Sequence, residues 1–97
     1  MIIVHEIFVC KPGNASKLAK LFKEAMSGSK ELVRVMTDMT GQYNRVIMVS
    51  QYENLDEFAK MFENYKNPTK EMKESMSKMQ GYTDLYLTGS RDIYQVW

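Results

Sequence analysis

ELVRVMTDMTGQYNRVIMVSQY, residues 31–52, is the stretch that decides the fold. Two runs rich in β-branched and aromatic residues, Glu31–Met39 and Tyr43–Tyr52, flank Thr40-Gly41-Gln42. That connection is short enough to pair them as an antiparallel hairpin. Upstream, Leu18, Leu21, Phe22, Ala25 and Met26 recur at spacings of three and four, the stripe of an amphipathic helix. Asn14 is the capping candidate at its start, and Ser27-Gly28 marks its end. Before it, residues 2–10 read as a strand that stops at Lys11-Pro12-Gly13. Downstream, Asn54 and Glu57 form a capping box ahead of Leu55, Phe58, Met61, Phe62 and Tyr65 at helical spacing. Asn67-Pro68-Thr69 interrupts that helix, and a second segment carrying Met72, Met76 and Met79 is expected to start with Pro68 as its first residue. Gly81 stops it, Tyr82–Thr88 reads as a last strand, Gly89-Ser90-Arg91 as a turn, and Ile93–Trp97 as an extended tail.

The order is β-α-β-β-α-β with a strand-like tail, an α+β ferredoxin-like sandwich with one four-stranded antiparallel sheet and its helices on one face. The 97 residues are expected to form one domain, 1–97. Hydrophobic residues make up 44% and charged residues 26%, which excludes disorder and fibrous repeats. Thirteen basic against 12 acidic residues give a net charge of +1 and no electrostatic footprint for nucleic acid or an anionic membrane. RNA-recognition modules share the topology, but their glycine-flanked sheet aromatics and basic surface are missing from this sequence. No apolar run suits a membrane helix or a signal peptide, and the lone cysteine favours a reducing cytoplasm.

The strands are apolar on both flanks. Side chains alternate along a strand. Ile2, Val4 and Phe8 therefore oppose Ile3, Ile7 and Val9, while Leu32 and Met36 oppose Val33, Val35 and Met39. Val46 and Met48 oppose Ile47 and Val49, and Tyr82 and Tyr86 oppose Leu85 and Leu87. Helices on one face leave the other bare, and wetting about eight such side chains at roughly 1.5–3 kcal/mol each would rival the stability of a small domain. A homodimer joined through the sheet faces is expected, with Tyr94 and Trp97 of the tail clasping the partner.

Lys11-Pro12-Gly13, Thr40-Gly41 followed by Asn44-Arg45-Val46, the helix start Asn54-Leu55-Asp56-Glu57-Phe58, and Gly89-Ser90-Arg91-Asp92-Ile93-Tyr94 together resemble the dimeric α/β-barrel superfamily, nearest to its NIPSNAP-like members. The resemblance covers nearly the whole chain and implies two sheets closed face to face into a barrel, with a pocket in each subunit between sheet and helices. It spans antibiotic-biosynthesis monooxygenases, haem-degrading monooxygenases, isomerases and proteins of unknown activity. Haem-degrading members carry an axial histidine on the second helix; residues 57–79 contain none, which leaves only Tyr65 or a methionine as a weak ligand.

The sequence names no nucleophile, metal site or phosphate loop. His5 and Cys10 point to opposite faces of one strand and cannot share an ion, so no metal and no cofactor is expected. His5 reads as a packing residue and Cys10 as a small hydrophobe. Glu6 shares a flank with Val4 and Phe8 that the resemblance implies looks towards the helices and the pocket, and a carboxylate on a central strand needs a partner. Arg34 and Arg45 are the available ones, and the pair is either structural or a general base and substrate anchor. The ligand-contacting set is read as Glu6, Phe8, Arg34, Arg45, Phe58, Phe62, Tyr65 and Tyr86, with Glu6 the catalytic candidate and Tyr52 a further source of a hydroxyl. The methionines of the second helical region either fill the core or make a pliable pocket wall. Two functions follow: a small-molecule-binding protein without catalysis, or a cofactor-independent oxygenase or isomerase acting on a small apolar or aromatic compound.

Overall fold

In the computed structural model of the chain, which describes residues 1–41 and 43–97, β1 (Ile2–Cys10) runs through the interior of a four-stranded sheet. Gln42 of the expected hairpin lies outside the described residues. The other elements follow as α1 (Ala15–Ala25), β2 (Leu32–Thr37), β3 (Arg45–Tyr52), α2 (Leu55–Lys66), α3 (Lys70–Lys78) and β4 (Tyr86–Gln95), with a single 3-10 turn at Tyr82–Asp84. The sheet order is β2-β3-β1-β4 with every neighbouring pair antiparallel, the ferredoxin-like arrangement.

The helices cover one face. Leu18 and Phe22 of α1 bury themselves against Cys10 and Val46, with Phe8, Met48 and Met79 packed around them. Phe58 of α2 joins Ile2, Val4 and Tyr52 in a second cluster. The result is a slab of 35 × 34 × 19 Å, thin enough for one sheet and one helical layer only. Ile3, Ile7, Val9 and Ile47 point away from the helices, as their registers with one another require. Among the described residues no helix covers them.

Several local expectations need correcting. Tyr82–Asp84 is not strand: Gly81 takes φ +83 after α3, and the amides of Tyr82, Asp84 and Leu85 turn back onto Met79, Gly81 and Tyr82 carbonyls. Gly89-Ser90-Arg91 is not a turn either. β4 continues through it, with Gly89 paired to Phe8 and Arg91 to Glu6, so the strand-like tail is the second half of the edge strand. The Phe8 ring lies over the side-chain-free Gly89, which is how a glycine sits in this strand. In β2 the register shifts between Leu32 and Arg34. One extra residue at such a bulge breaks the alternation. Leu32 and Val35 therefore face the helices, while Arg34 and Met36 face outward.

The hairpin strands are also shorter than read. The Arg45 amide and Nε both donate to the Asp38 carboxylate at 3.1 Å, closing the ladder there and leaving Met39 and Tyr43 exposed in the loop. Partial burial pushes the Asp38 carboxyl up, but these bonds outweigh it and hold it below the usual aspartate range. At the helix starts, Asn54 accepts from the Glu57 amide at 2.9 Å, while the Glu57 carboxylate goes to Lys60 rather than back to Asn54. Asn14 occupies the cap position of α1 without a side-chain cap bond. Pro68 does not open α3; Thr69 caps it by accepting from the Met72 amide.

Candidate functional site

Glu6 lies at the middle of β1 on the helix-facing side, and Arg91 lies directly across from it on β4. Arg91 Nε donates to Glu6 Oε1 at 2.5 Å, with 40% and 17% of the two side chains exposed. Neither Arg34 nor Arg45 reaches Glu6. The bulge turns Arg34 to the outer face, and Arg45 is engaged by Asp38. The Arg91 guanidinium carbon also sits 5.3 Å from the centre of the Phe58 ring and 5.0 Å from that of Phe62, so two α2 aromatics hold the arginine against the sheet.

The pair faces a cleft of about 870 Å³ between the sheet and α2 and α3. A volume in this range is typical of a small-molecule site. Phe8, Phe58 and Phe62 line it together with Met61, Met72 and Met76, so the wall is aromatic and thioether with one charged pair at its base. Of the residues singled out in the sequence, Glu6, Phe8, Phe58, Phe62 and Tyr65 come together here. Arg34, Arg45 and Tyr86 do not line the cleft; Tyr86 packs edge-on against Phe8 at 5.0 Å in the core beneath α1. Sequence reading missed Arg91 because it was placed in a turn. Nothing local in Gly89-Ser90-Arg91 signals a strand; pairing with β1 carries β4 through Arg91.

Tyr52 closes one side of the cleft. Its ring is 8% exposed and packs edge-on against Phe58, and its hydroxyl donates to the Met61 sulfur at 2.8 Å. Burial pushes the phenol up to about 12, helped by the Glu31, Tyr65 and Glu6 charges and opposed by Arg91. Burial followed by Glu6 also raises Tyr65. Both hydroxyls are therefore neutral donors at ordinary pH. For Tyr52 the unfolded chain ionises near pH 10 while the folded chain keeps its proton. The stability present below pH 10 is accordingly lost as pH rises to about 12. We expect alkaline chemical denaturation to reveal a fall of about 2 kcal/mol over that interval, and Tyr52→Phe to abolish most of it. An unchanged alkaline profile in the variant would assign the fall elsewhere.

His5 is on the opposite face of β1, its ring 5.1 Å from that of Tyr94. Cys10 is buried, and burial followed by the Asp38 charge raises its thiol, making it a poor nucleophile. Among the described residues no group of three or more His, Cys, Asp and Glu converges on a point that could hold a metal, and no helix is long and apolar enough to cross a membrane.

No protein-family model matches the sequence, and a search of curated proteins finds no match. Solved structures share the fold. An uncharacterized NIPSNAP domain protein from Burkholderia xenovorans superposes with a TM-score of 0.77 at 11% identity, covering 100% of this chain and 95% of that one. A NIPSNAP family protein from Agrobacterium tumefaciens gives 0.77 at 16% identity, over 97% and 90% of the two chains. A candidate antibiotic biosynthesis monooxygenase from Nitrosomonas europaea gives 0.61 at 11% identity, over 99% and 98%. At these identities the likeness is one of ferredoxin-like architecture.

Proposed function

We propose that this chain, one domain over residues 1–97, is a homodimeric small-molecule-binding protein of the reducing cytoplasm, with its ligand in the cleft between sheet and helices. The observation that carries the binding reading is the Glu6–Arg91 pair at the base of an open, aromatic and methionine-walled cleft. An apolar body would lie against Phe58, Phe62 and the methionines, and a polar group would bond to the pair. A charged pair partly open to solvent contributes little stability, so stabilisation alone does not explain it.

The dimer reading rests on the outer face and on area. The chain exposes 6963 Å², against about 5700 Å² for a compact monomer of its mass. The surplus, shared between the open cleft and the bare sheet, exceeds the ~800 Å² that one partner contributes to a standard interface. The solved NIPSNAP and monooxygenase-like structures of the same fold are in keeping with a ligand cleft.

A second reading, a cofactor-independent oxygenase or isomerase, is favoured by one detail. Glu6 engages Arg91 through Oε1 alone, and Oε2 has no hydrogen bond among the described residues, so it could act as a base. Thermal unfolding in the presence of fractionated metabolite extract tests the binding reading. A fraction holding a ligand at 100 times its Kd adds about 2.7 kcal/mol, on the order of 10 °C for a chain this size. The shift should appear in wild type and shrink in Glu6→Gln. No shift with any fraction would contradict binding, and turnover of the shifted compound, lost in Glu6→Gln, would favour the enzyme.

A further inference from the structure

The cleft between sheet and helices carries a charge bias that the chain as a whole does not share. Five glutamates line it, Glu6, Glu31, Glu57, Glu63 and Glu71, against Lys60 and Arg91 as its only cations among the described residues. Its wall is therefore negative by three charges at neutral pH, on a chain whose net charge is +1. Glu6 neutralises Arg91 and Glu57 neutralises Lys60, so neither pair by itself favours a ligand of either sign. The surplus falls to the other three. Glu63 meets only Lys66 on its own helix, at 3.8 Å with both side chains open to water, and Glu31 and Glu71 belong to no ion pair among the described residues. Glu31 precedes β2 and Glu71 lies in the first turn of α3, so the surplus arises on the sheet as well as on the helices.

The aromatic wall suits the same sign. Ring faces are negative and attract positive groups. Phe58 and Phe62 already hold one, the Arg91 guanidinium, at 5.3 and 5.0 Å from their centres. Phe62 and Tyr65 remain 39% and 40% exposed, which leaves ring surface open to a second. Glu6 binds Arg91 through Oε1, and its Oε2 is left to accept from another donor. The phenols of the wall register the field: after burial, the Glu31 charge raises Tyr52 and the Glu6 charge raises Tyr65.

We propose that the ligand of this cleft is an organic cation, an amine whose ammonium group is held by Glu6 and the open rings of Phe62 and Tyr65 and whose apolar body rests on the methionines. The inference rests on the binding reading above and adds the sign of the ligand's charge. A cation takes up the spare carboxylate oxygen without breaking the Glu6–Arg91 bond. Glu31 and Glu71 draw it in, because a cleft lined by one sign of charge concentrates the opposite ion. An anion seeking the remaining N–H groups of Arg91 meets the same surplus as repulsion, and the ring faces repel it as well.

Three probes that share a phenylethyl body separate the signs: 2-phenylethylamine, 2-phenylethanol and 3-phenylpropanoate, titrated into the isotope-labelled protein and followed by NMR at neutral pH. The amine should bind about tenfold more tightly than the alcohol, and the carboxylate more weakly than either. Raising the salt from about 50 to about 500 mM should shrink the amine's lead. Glu6→Gln should erase most of that lead. The double variant Glu31→Gln/Glu71→Gln, which removes no ion pair among the described residues, should weaken the amine about threefold and leave the fold intact, so the inference stays open to refutation even if Glu6→Gln misfolds. Equal affinities for the three probes, or a preference for the carboxylate, would overturn the cationic ligand and leave a binding cleft standing. An amine whose lead survives both variants would overturn the assignment to these glutamates. No binding of any probe up to about 10 mM would overturn the inference and the cleft reading together.

Discussion

An Ile7→Lys protein should sediment as a folded monomer at concentrations where the proposed wild-type homodimer forms, with its dissociation constant raised at least about a thousandfold, or roughly 4 kcal/mol. Ile7 sits near the middle of the outer face, paired with Ile47 on one side and Ser90 on the other, and Met36 extends the row beyond Ile47. In an isologous interface one substitution places two lysines in the apolar centre of a face-to-face contact. Each would lose its hydration on burial between the sheets. In the monomer the same lysine projects into water, and neither helix-side cluster includes Ile7, so the fold should survive with unchanged circular dichroism. A variant that stays dimeric would place the interface elsewhere.

Phe22→Ala should lower the unfolding free energy by about 3–5 kcal/mol, a large share of the 5–15 kcal/mol typical of native domains. Phe22 is 1% exposed, with its ring 5.0 Å from that of Phe8 and 6.1 Å from that of Tyr82. It joins α1 to the sheet and to the turn before β4, and its neighbours Leu18 and Val46 are fully buried and cannot follow it into the void. The effect should reach the proposed ligand cleft, because Phe8 lines it on the same strand as Glu6. Urea denaturation at one fixed protein concentration measures the loss free of mass action. A change below about 1 kcal/mol would mean that the core collapses around the deletion.

The sequence made the architecture legible because the helical stripes of α1 and α2 and the strand of residues 2–10 rest on periodicity, which backbone geometry dictates. Ends and interruptions were harder. Nothing local to Val33 marks the β2 bulge, which arises from matching β2 to β3 across the hairpin and reverses the face of Arg34 and of Met36. Gly89-Ser90-Arg91 has the composition of a turn, yet pairing along the whole of β1 outweighs that propensity and makes it strand. The site inherits both outcomes. Glu6 was identifiable because a carboxylate on an interior apolar strand is unusual, whereas its partner depended on where the last strand ends.

Sedimentation equilibrium of the wild-type chain over a wide range of dilutions tests most directly whether a second copy covers the bare sheet face. A single species of twice 11.3 kDa, persisting to low micromolar protein and below, is the result predicted. A stable, folded species of 11.3 kDa at those concentrations would contradict it.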